Sequence, residues 1–266
     1  DKAELLEWRN HPETRTMFID QDLVQQDAHD HWFQKIMTSE SHILFIGQRE
    51  RNKIGVVRFD VNSEENTAEV SVNVNPTYRG QRLSKHLLGA AILEFLNKRS
   101  ATLIAHVKKI NTPSLKVFRA LGFMDTSDDG HIIKLEHTHQ PISFSPISMD
   151  DAEVLYDLLK QRQHHISHDE IPSFEAHCTF IKNHPYRDWF IVRKGNAIGS
   201  FYTQNDNSIG INLVVPKILD VLSILNYIQN ELTPMAAQAS KVPSYFFFNI
   251  ASSNTEMQNI LEDLNL

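Results

Sequence analysis

Hydrophobic and polar residues alternate from Glu69 to Val74, and this alternation predicts a β-strand with one buried face. Pro76 ends the strand, because proline has no backbone N–H to donate to a sheet. A short loop follows, and apolar residues then recur with helical spacing at Leu83, Leu87, Leu88 and Ala91. The pattern predicts a strand–loop–helix unit whose helix N-terminus presents unpaired N–H groups, which favour an anionic ligand.

The charge around this unit has the sign that an anion requires. Between Arg79 and Arg119 there are nine basic residues and one acidic residue, Glu94, in a chain whose net charge is −7. Because proteins that bind nucleic acid are more often basic overall, the local excess favours a small polyanion over nucleic acid. The alternative interpretation is a solvated helix face with ordinary lysines.

Two stretches of the chain together resemble the GNAT superfamily of acetyl-CoA-dependent N-acetyltransferases. The pyrophosphate loop of that family reads Gln/Arg-x-x-Gly-x-Gly/Ala, and the positions here are Arg79, Gly80, Gln81, Arg82, Leu83 and Ser84. Ser84 is small enough for the last position. Arg82 replaces the central glycine, which removes close backbone approach at one point and offers a guanidinium contact to phosphate instead.

The second stretch matches a family motif of Asn-x-x-Ser/Ala, then an aromatic residue, then Gly-Phe, which packs a helix along the pantetheine arm. The matching residues are Asn111, Ser114, Phe118, Gly122 and Phe123. The resemblance implies acetyl-CoA as the cofactor, and it implies that the strand before the loop opens at a bulge to expose backbone groups. The expected cofactor contacts are Val72, Val74, Arg79, Gly80, Gln81, Arg82, Leu83, Ser84, Lys85, Asn111, Ser114 and Phe118.

Acyl transfer to an amine needs a base, because most alkylamines are protonated at physiological pH. Glu69 lies on the strand ten residues before Arg79, about where several GNAT enzymes keep a catalytic glutamate. The alternatives are that Glu69 is an exposed strand carboxylate and that a histidine such as His29, or solvent, removes the proton. Phe118 occupies the position where many family members carry a tyrosine that protonates the thiolate, so a general acid is unassigned.

The N-terminal segment is expected to cover the acceptor pocket of this fold. Its crowding of Trp, Arg, Asn and His suits a polar, flat or phosphorylated acceptor. Residues 8–15 and 29–33 resemble the GNAT branch that acetylates nucleotide-linked amino sugars in pseudaminic-type nonulosonic acid pathways. Protein N-termini and small amines are the alternative acceptors. Alternatively, Trp8 and Trp32 pack in the core on a helix face, and the arginines are solvated surface residues. The candidate acceptor-binding residues are Trp8, Arg9, Asn10, Arg15, His29 and Trp32.

The second half of the chain repeats the first. Segment 150–155 echoes 1–6, Ile198-Gly199 echoes Ile54-Gly55, and 254–266 aligns without a gap on 111–123. The linker near 136–141 divides two tandem GNAT-like domains, 1–139 and 140–266. Each is predicted to be α/β (α+β), with a mixed, mostly antiparallel central sheet flanked by helices.

The second copy has lost the residues that would hold a phosphate. Where the first copy has its loop, the second reads from Val215 to Leu222 without glycine or arginine, and the positive charge is gone as well. We therefore predict a degenerate second domain without a cofactor site. The sequence leaves open whether the terminal strands missing from each copy are shared between the domains.

Composition sets the remaining expectations. A charged content of 22%, no membrane-length apolar run and no signal-peptide pattern predict a cytoplasmic protein that binds neither membrane nor nucleic acid. We expect the single cysteine, Cys178, to pack in the core. Close histidines occur at His29/His31, at His137/His139 and among His164, His165 and His168, but acyl transfer needs no metal and none is predicted. The sequence does not determine the oligomeric state. A non-catalytic acyl-CoA-binding or scaffold protein remains the alternative to an enzyme.

Overall fold

The computed structural model describes residues 1–161, 171–239, 241–251 and 253–266. The chain folds into two compact units: unit 1 contains residues 1–139 with 261–266, and unit 2 contains residues 140–260. Each unit is built on its own sheet flanked by helices. The predicted fold class, with two mixed sheets flanked by helices, is therefore confirmed. No helix among the described residues is both long and apolar enough to cross a membrane.

Unit 1 contains a six-stranded sheet in the order β1-β2-β3-β4-β6-β5. The predicted strand is β3 and the predicted helix is α4. Pairing is antiparallel except between β3 and β4. The elements are α1 (Lys2–Asn10), α2 (Pro12–Met17), α3 (Gln26–Thr38), β1 (His42–Arg49), β2 (Asn52–Asn62), β3 (Thr67–Val74), α4 (Leu83–Leu96), β4 (Thr102–Lys108), α5 (Thr112–Ala120), β5 (Met124–Asp128) and β6 (Ile132–Thr138).

The two faces of this sheet have different partners, as alternation along β2 and β3 requires. One face packs on α4, where the fully buried rings of Phe59 and Phe95 stack with centroids 4.3 Å apart. The opposite face carries Arg58 and Ser71, which are paired in register, and α1 and α3 cover it. The apolar core therefore lies on the α4 side, and the polar strand face is left for a site.

The parallel pair β3–β4 is short. The strands pair only from Thr67 opposite Thr102 to Glu69 opposite Ile104, although β3 continues to Val74 and β4 to Lys108. On its other edge β3 pairs with β2 along its whole length without a register shift. The expected bulge in β3 is thus absent. The opening arises instead because β4 stops pairing with β3 after Ile104, while β2 keeps β3 regular.

Unit 2 contains a five-stranded sheet in the order β11-β10-β9-β8-β7. Its single parallel pair, β10–β11, ends after two residue pairs. Cys178 is half-buried against the core of this unit. The elements are β7 (Ser143–Pro146), α6 (Ala152–Lys160), α7 (Phe174–Lys182), β8 (Asp188–Lys194), β9 (Asn196–Thr203), β10 (Ser208–Leu213), α8 (Ile218–Glu231), β11 (Phe247–Phe248) and α9 (Thr255–Asp263).

Two glycines show how closely the units correspond. Gly55 lies opposite Val74 in the β2–β3 ladder, and Gly199 lies opposite Leu213 in the β9–β10 ladder. A Cβ on Gly55 would lie 2.7 Å from the Asn73 carbonyl oxygen, and a Cβ on Gly199 would lie 2.2 Å from that of Asn212. At each position the paired strand lies too close to leave room for a side chain. Glycine is therefore required at the same place in each unit.

We expect Gly55→Ala to lower the free energy of unfolding by about 1–3 kcal/mol, because the added methyl group meets backbone that cannot move alone. Gly47→Ala is the matched control. Gly47 faces Gly55 across β1 and β2, but the nearest atom to its Cβ is the terminal Cδ1 of Leu87, which can rotate away. Denaturant unfolding followed by circular dichroism should show the smaller loss for Gly47→Ala, and equal losses would contradict this account.

Candidate functional site

The phosphate loop, residues 79–85, joins a 3₁₀ turn (Pro76–Tyr78) to the first turn of α4. Gly80 has φ +75° and Arg82 has φ +58°, and Arg82 immediately precedes the helix. A non-glycine residue pays about 1–2 kcal/mol for the left-handed conformation. Arg82 therefore keeps the backbone shape that a glycine would adopt there, and the loop amides of α4 remain available to an anion.

The basic side chains of this loop are already paired. Lys85 Nζ lies 2.5 Å from Asp263 Oδ2, and Arg82 Nη1 lies 3.7 Å from Glu262 Oε2. Arg79 turns toward α2, where it forms an ion pair with Glu13 at 3.3 Å and a hydrogen bond with Thr14. The guanidinium of Arg79 thus anchors α2, while Arg82 and Lys85 stand at the start of α4 and face carboxylates.

The remaining loop residues have mainly backbone and packing roles. Gln81 Nε2 donates to the Thr77 carbonyl oxygen at 3.4 Å. Leu83 is buried in the core, and Ser84 is half-buried in the first turn of α4. Val72 and Val74 lie on β3 beyond Glu69, where no strand of the described chain pairs with β3 on the β4 side. The backbone of β3 is therefore open along the length predicted to contact the cofactor.

The second motif forms the start of α5. Asn111 is its N-cap, and its Oδ1 accepts a hydrogen bond from the Ser114 backbone N–H at 3.3 Å. Phe118 is 2% exposed and packs edge-to-face on Phe123 with centroids 5.0 Å apart. The Asn111 and Phe118 side chains thus hold α5 in shape, whereas Ser114 is partly accessible.

A cavity with a volume of about 240 Å³ lies between the polar face of the sheet and helices α1 and α3, and because predicted acceptor residues line it, it is named the acceptor cavity. Three of the predicted acceptor residues line it: Arg9, His29 and Trp32. Sequence reasoning missed the others, although alternation along β3 marks Ser71 and Asn73 as facing the same side as Glu69. The full lining is Leu5, Arg9, Phe18, Val24, His29, Trp32, Leu44, Val56, Arg58, Ser71 and Asn73.

The other predicted acceptor residues lie outside the cavity wall. Trp8 is 4% exposed and belongs to the core. Asn10 exchanges two hydrogen bonds with the backbone of Val24, at 2.8 and 2.9 Å. Arg15 Nε donates to the carbonyl oxygen of Gln21 at 3.0 Å. Asn10 and Arg15 therefore fix the segment between α2 and α3, which forms part of the cavity wall.

The polar atoms of the cavity are incompletely paired. Arg9 Nη2 donates to the Asp20 carbonyl oxygen at 2.8 Å, but Arg9 Nη1, Arg58 Nε and His29 Nδ1 are buried without a hydrogen-bond partner among the described residues. Desolvation lowers the pKa of Arg9 and that of His29 from their ordinary values. None of the lining residues is a carboxylate. The cavity wall therefore offers desolvated cationic donors and contributes no carboxylate of its own.

Aromatic rings accompany the two guanidinium groups. The Arg9 guanidinium carbon lies 4.4 Å from the Phe18 ring centroid, and that of Arg58 lies 6.0 Å from the Trp32 ring centroid. Arg58 Nη2 also pairs with Asp60 Oδ2 at 2.9 Å. Such cation–π contacts hold the guanidinium planes in fixed orientations, which suits recognition of a planar or anionic group.

Glu69 stands on the same face of β3, two residues before Ser71. Its side chain is 51% exposed, and its Oε1 lies 3.2 Å from Nδ1 of His106 on β4. The structure thus places the two predicted base candidates differently: His29 is buried in the cavity wall, and Glu69 is accessible beside the end of the β3–β4 pairing. His106 had no signal in the sequence, because strand pairing alone brings it to Glu69.

Within the part of the chain that the structure describes, no group of three or more His, Cys, Asp or Glu side chains is arranged to hold a metal ion. Of the close histidines, His31 Nδ1 is 2.8 Å from the Asp27 carbonyl oxygen, within its own helix. The cluster of His164, His165 and His168 lies outside the described residues.

Residues 3–123 match the model of the Acetyltransferase (GNAT) family. No curated protein matches the chain significantly in sequence. Among solved structures, the chain is similar to a domain from Methanocaldococcus jannaschii, with 20% identity over 52% of this chain and 92% of that one, at a TM-score of 0.45.

Two further similar structures have activities in their names. One is the Campylobacter jejuni N-acetyltransferase PseH in complex with acetyl coenzyme A, at 18% identity over 52% of this chain and 89% of that one, with a TM-score of 0.41. The other is a spermidine N-acetyltransferase from Vibrio cholerae in complex with CoA and spermine, at 14% identity over 52% and 89%, with a TM-score of 0.47.

The family match spans the helices that cover the acceptor cavity, the phosphate loop and the second motif. The resemblance of these motifs to those of GNAT enzymes agrees with the family match over residues 3–123. Through residues 3–123, this protein is similar to the GNAT family of acetyltransferases.

Proposed function

We propose that the acetyl-CoA-dependent N-acetyltransferase of unit 1 acts on a primary amine of a nucleotide-linked amino sugar. The observation that carries the proposal is the acceptor cavity, which combines two guanidinium groups, two aromatic rings and no carboxylate. The guanidinium groups of Arg9 and Arg58 suit the phosphates of such an acceptor, and the ring of Trp32 suits a flat base or a sugar face.

The unpartnered nitrogens of the cavity explain why an anion fits. A buried guanidinium nitrogen without a hydrogen-bond partner is costly, and burial already lowers the pKa of Arg9. An incoming phosphate accepts hydrogen bonds from Arg9 Nη1 and Arg58 Nε, which removes that cost. Binding energy is therefore available from a part of the acceptor that does not react, which positions the amine.

The charge of the cavity also discriminates between the possible classes of acceptor. A polyamine would bring additional positive charge to a wall that contains two arginines and no carboxylate, so it is disfavoured. A protein N-terminus or a small neutral amine is not excluded by charge, but neither uses the unpartnered guanidinium nitrogens. An acceptor that carries both an amine and a phosphate uses the unpartnered guanidinium nitrogens.

The reaction needs a neutral amine next to the thioester. We propose that Glu69 removes the proton, because it is accessible and lies beside the point where β3 loses its partner strand. The open backbone of β3 beyond Glu69 supplies N–H groups for the oxyanion of the tetrahedral intermediate. With Phe118 buried at the acid position, the thiolate leaves as such or takes a proton from water, since its pKa is about 8.5.

We further propose that unit 2 is a GNAT-like copy without a cofactor site. The third residue of α4 is Lys85, but the third residue of α8 is Asp220, which is buried and pairs with Lys194 at 2.8 Å. A carboxylate in the first turn of α8 already satisfies the helix dipole and repels a phosphate. The reversal of charge at this position supports a single cofactor per chain.

The acceptor assignment predicts a preference that depends on Arg9. With acetyl-CoA, a nucleotide-linked amino sugar should be acetylated with a higher kcat/KM than the free amino sugar, spermidine or a short peptide. Arg9→Gln should lower kcat/KM for the nucleotide-linked acceptor roughly 10- to 100-fold, the value of one charge-assisted hydrogen bond. Release of CoA measures the rate in each case.

The free amino sugar serves as the internal control, because its kcat/KM should change little in Arg9→Gln. Arg51→Gln makes the same chemical change at an exposed position outside the cavity wall and should leave both rates unchanged. Equal activity on the free and the nucleotide-linked sugar would refute the acceptor assignment. Absence of transfer to every amine would instead favour a non-catalytic acyl-CoA-binding protein.

Calorimetric titration with acetyl-CoA should give one site per chain, because only unit 1 has a phosphate loop. Ser84→Tyr should abolish that binding, since the tyrosine ring fills the first turn of α4 where the pyrophosphate approaches. Asn111→Ala should weaken binding less, by about 1 kcal/mol, through loss of the cap of α5. Two equivalent sites per chain would overturn the assignment of unit 2.

Glu69→Gln should lower turnover by about 100- to 10,000-fold, the usual contribution of a general base. The dissociation constant for acetyl-CoA should not change, because Glu69 acts on the amine. The loss should shrink as the pH approaches the pKa of the amine, where the acceptor arrives neutral. Wild-type turnover of Glu69→Gln at pH 7 would instead mean that solvent or His29 removes the proton. The lowered pKa of His29 keeps this imidazole neutral at pH 7, so it is able to accept a proton.

A further inference from the structure

We propose that His106 is a positioning residue for Glu69, an inference that rests on the proposed function. His106 Nδ1 lies 3.2 Å from Glu69 Oε1, and the two side chains come from different strands of unit 1. A lone carboxylate on a strand edge has several rotamers available, and a hydrogen bond from a neighbouring strand selects among them.

The location of the pair connects it to the reaction. Glu69 is the last residue of β3 that pairs with β4, and its partner in the register is Ile104. His106 follows two residues later on β4, on the same face, at the level where pairing has ended. The Glu69–His106 contact therefore bridges the two strands at the mouth of their opening, where the acetyl group and the amine have to meet.

The neighbouring charges are engaged elsewhere. On β6, Lys134 lies directly opposite His106 and pairs with Glu136 at 2.7 Å. On β2, Asp60 lies opposite Glu69 and pairs with Arg58. Further along β4, Lys108 Nζ donates to the Thr16 carbonyl oxygen at 3.2 Å. Among the described residues, Glu69 therefore has His106 as its hydrogen-bond partner, and these cations are held by other acceptors.

The direction of the hydrogen bond follows from the charge of Glu69. A carboxylate oxygen only accepts, so Nδ1 of His106 carries a proton and donates to Glu69 Oε1. The amine N–H bond breaks as an O–H bond forms on Glu69, and Glu69 then releases this proton to water. Glu69 returns to its carboxylate form, and the net change is an ammonium ion converted to an amine and a hydronium ion. Both side chains are partly exposed, so water reaches Glu69.

The test is a double-mutant cycle with acetyl-CoA and a saturating amine acceptor. His106→Ala should lower kcat by about 10-fold while the KM for acetyl-CoA stays within about twofold, since one hydrogen bond to a charged group is lost. His106→Asn, whose amide reaches the position of Nδ1, should recover most of kcat. In the Glu69→Gln background, His106→Ala should have no further effect, because the residue acts through Glu69.

His42→Ala is the matched control. His42 is the other histidine near a carboxylate on this sheet face, with Nε2 3.8 Å from Asp60 Oδ1, and its replacement should leave kcat unchanged. Wild-type kcat in His106→Ala, or losses from His106→Ala and Glu69→Gln that simply multiply, would overturn the positioning role while the transferase activity stands. A wild-type protein that acetylates no amine would overturn both.

Discussion

The end of pairing between β3 and β4 is the constraint on which the rest of unit 1 depends. After Glu69 and Ile104 the two parallel strands share no further pairs, while β2 keeps β3 regular to Val74. A strand edge without a partner leaves backbone donors and acceptors unused in the interior of a sheet, which is costly unless a ligand meets them. The opening is therefore an unfilled strand position, which suits an extended ligand with amide groups.

The loop, the second motif and the base candidate are arranged around that opening. The loop begins where β3 ends and directs the N-terminus of α4 toward any ligand that lies along the strand. Helix α5 begins just after β4 and is capped by Asn111. Glu69 and His106 meet where the strands stop pairing. A small change in the length of the β3–β4 ladder would move all of these together, since each is fixed to one of the two strands.

Local patterns predicted the features that lie along one stretch of chain. Alternation located β3 and helical spacing located α4, because each signal is contained within neighbouring residues. Arg9, His29 and Trp32, which were predicted as acceptor residues, line one cavity, since aromatic and basic residues are informative on helices that cover a pocket. Arg58 and His106 had no local signal, because pairing of strands distant in sequence brings Arg58 to the cavity wall and His106 to Glu69. The same crowding of polar residues drew attention to Asn10, whose side chain is used to hold a neighbouring segment.

Arg82 shows which property of the phosphate loop is inherited. Its backbone holds a left-handed conformation at the position of the family glycine, and its side chain is 70% exposed. The left-handed turn is thus kept here, although arginine stands where the family has the glycine that adopts this conformation most readily. A search that requires glycine at this position would pass over such loops. A search for a positive φ one residue before the helix would retain this loop, because Arg82 keeps that conformation.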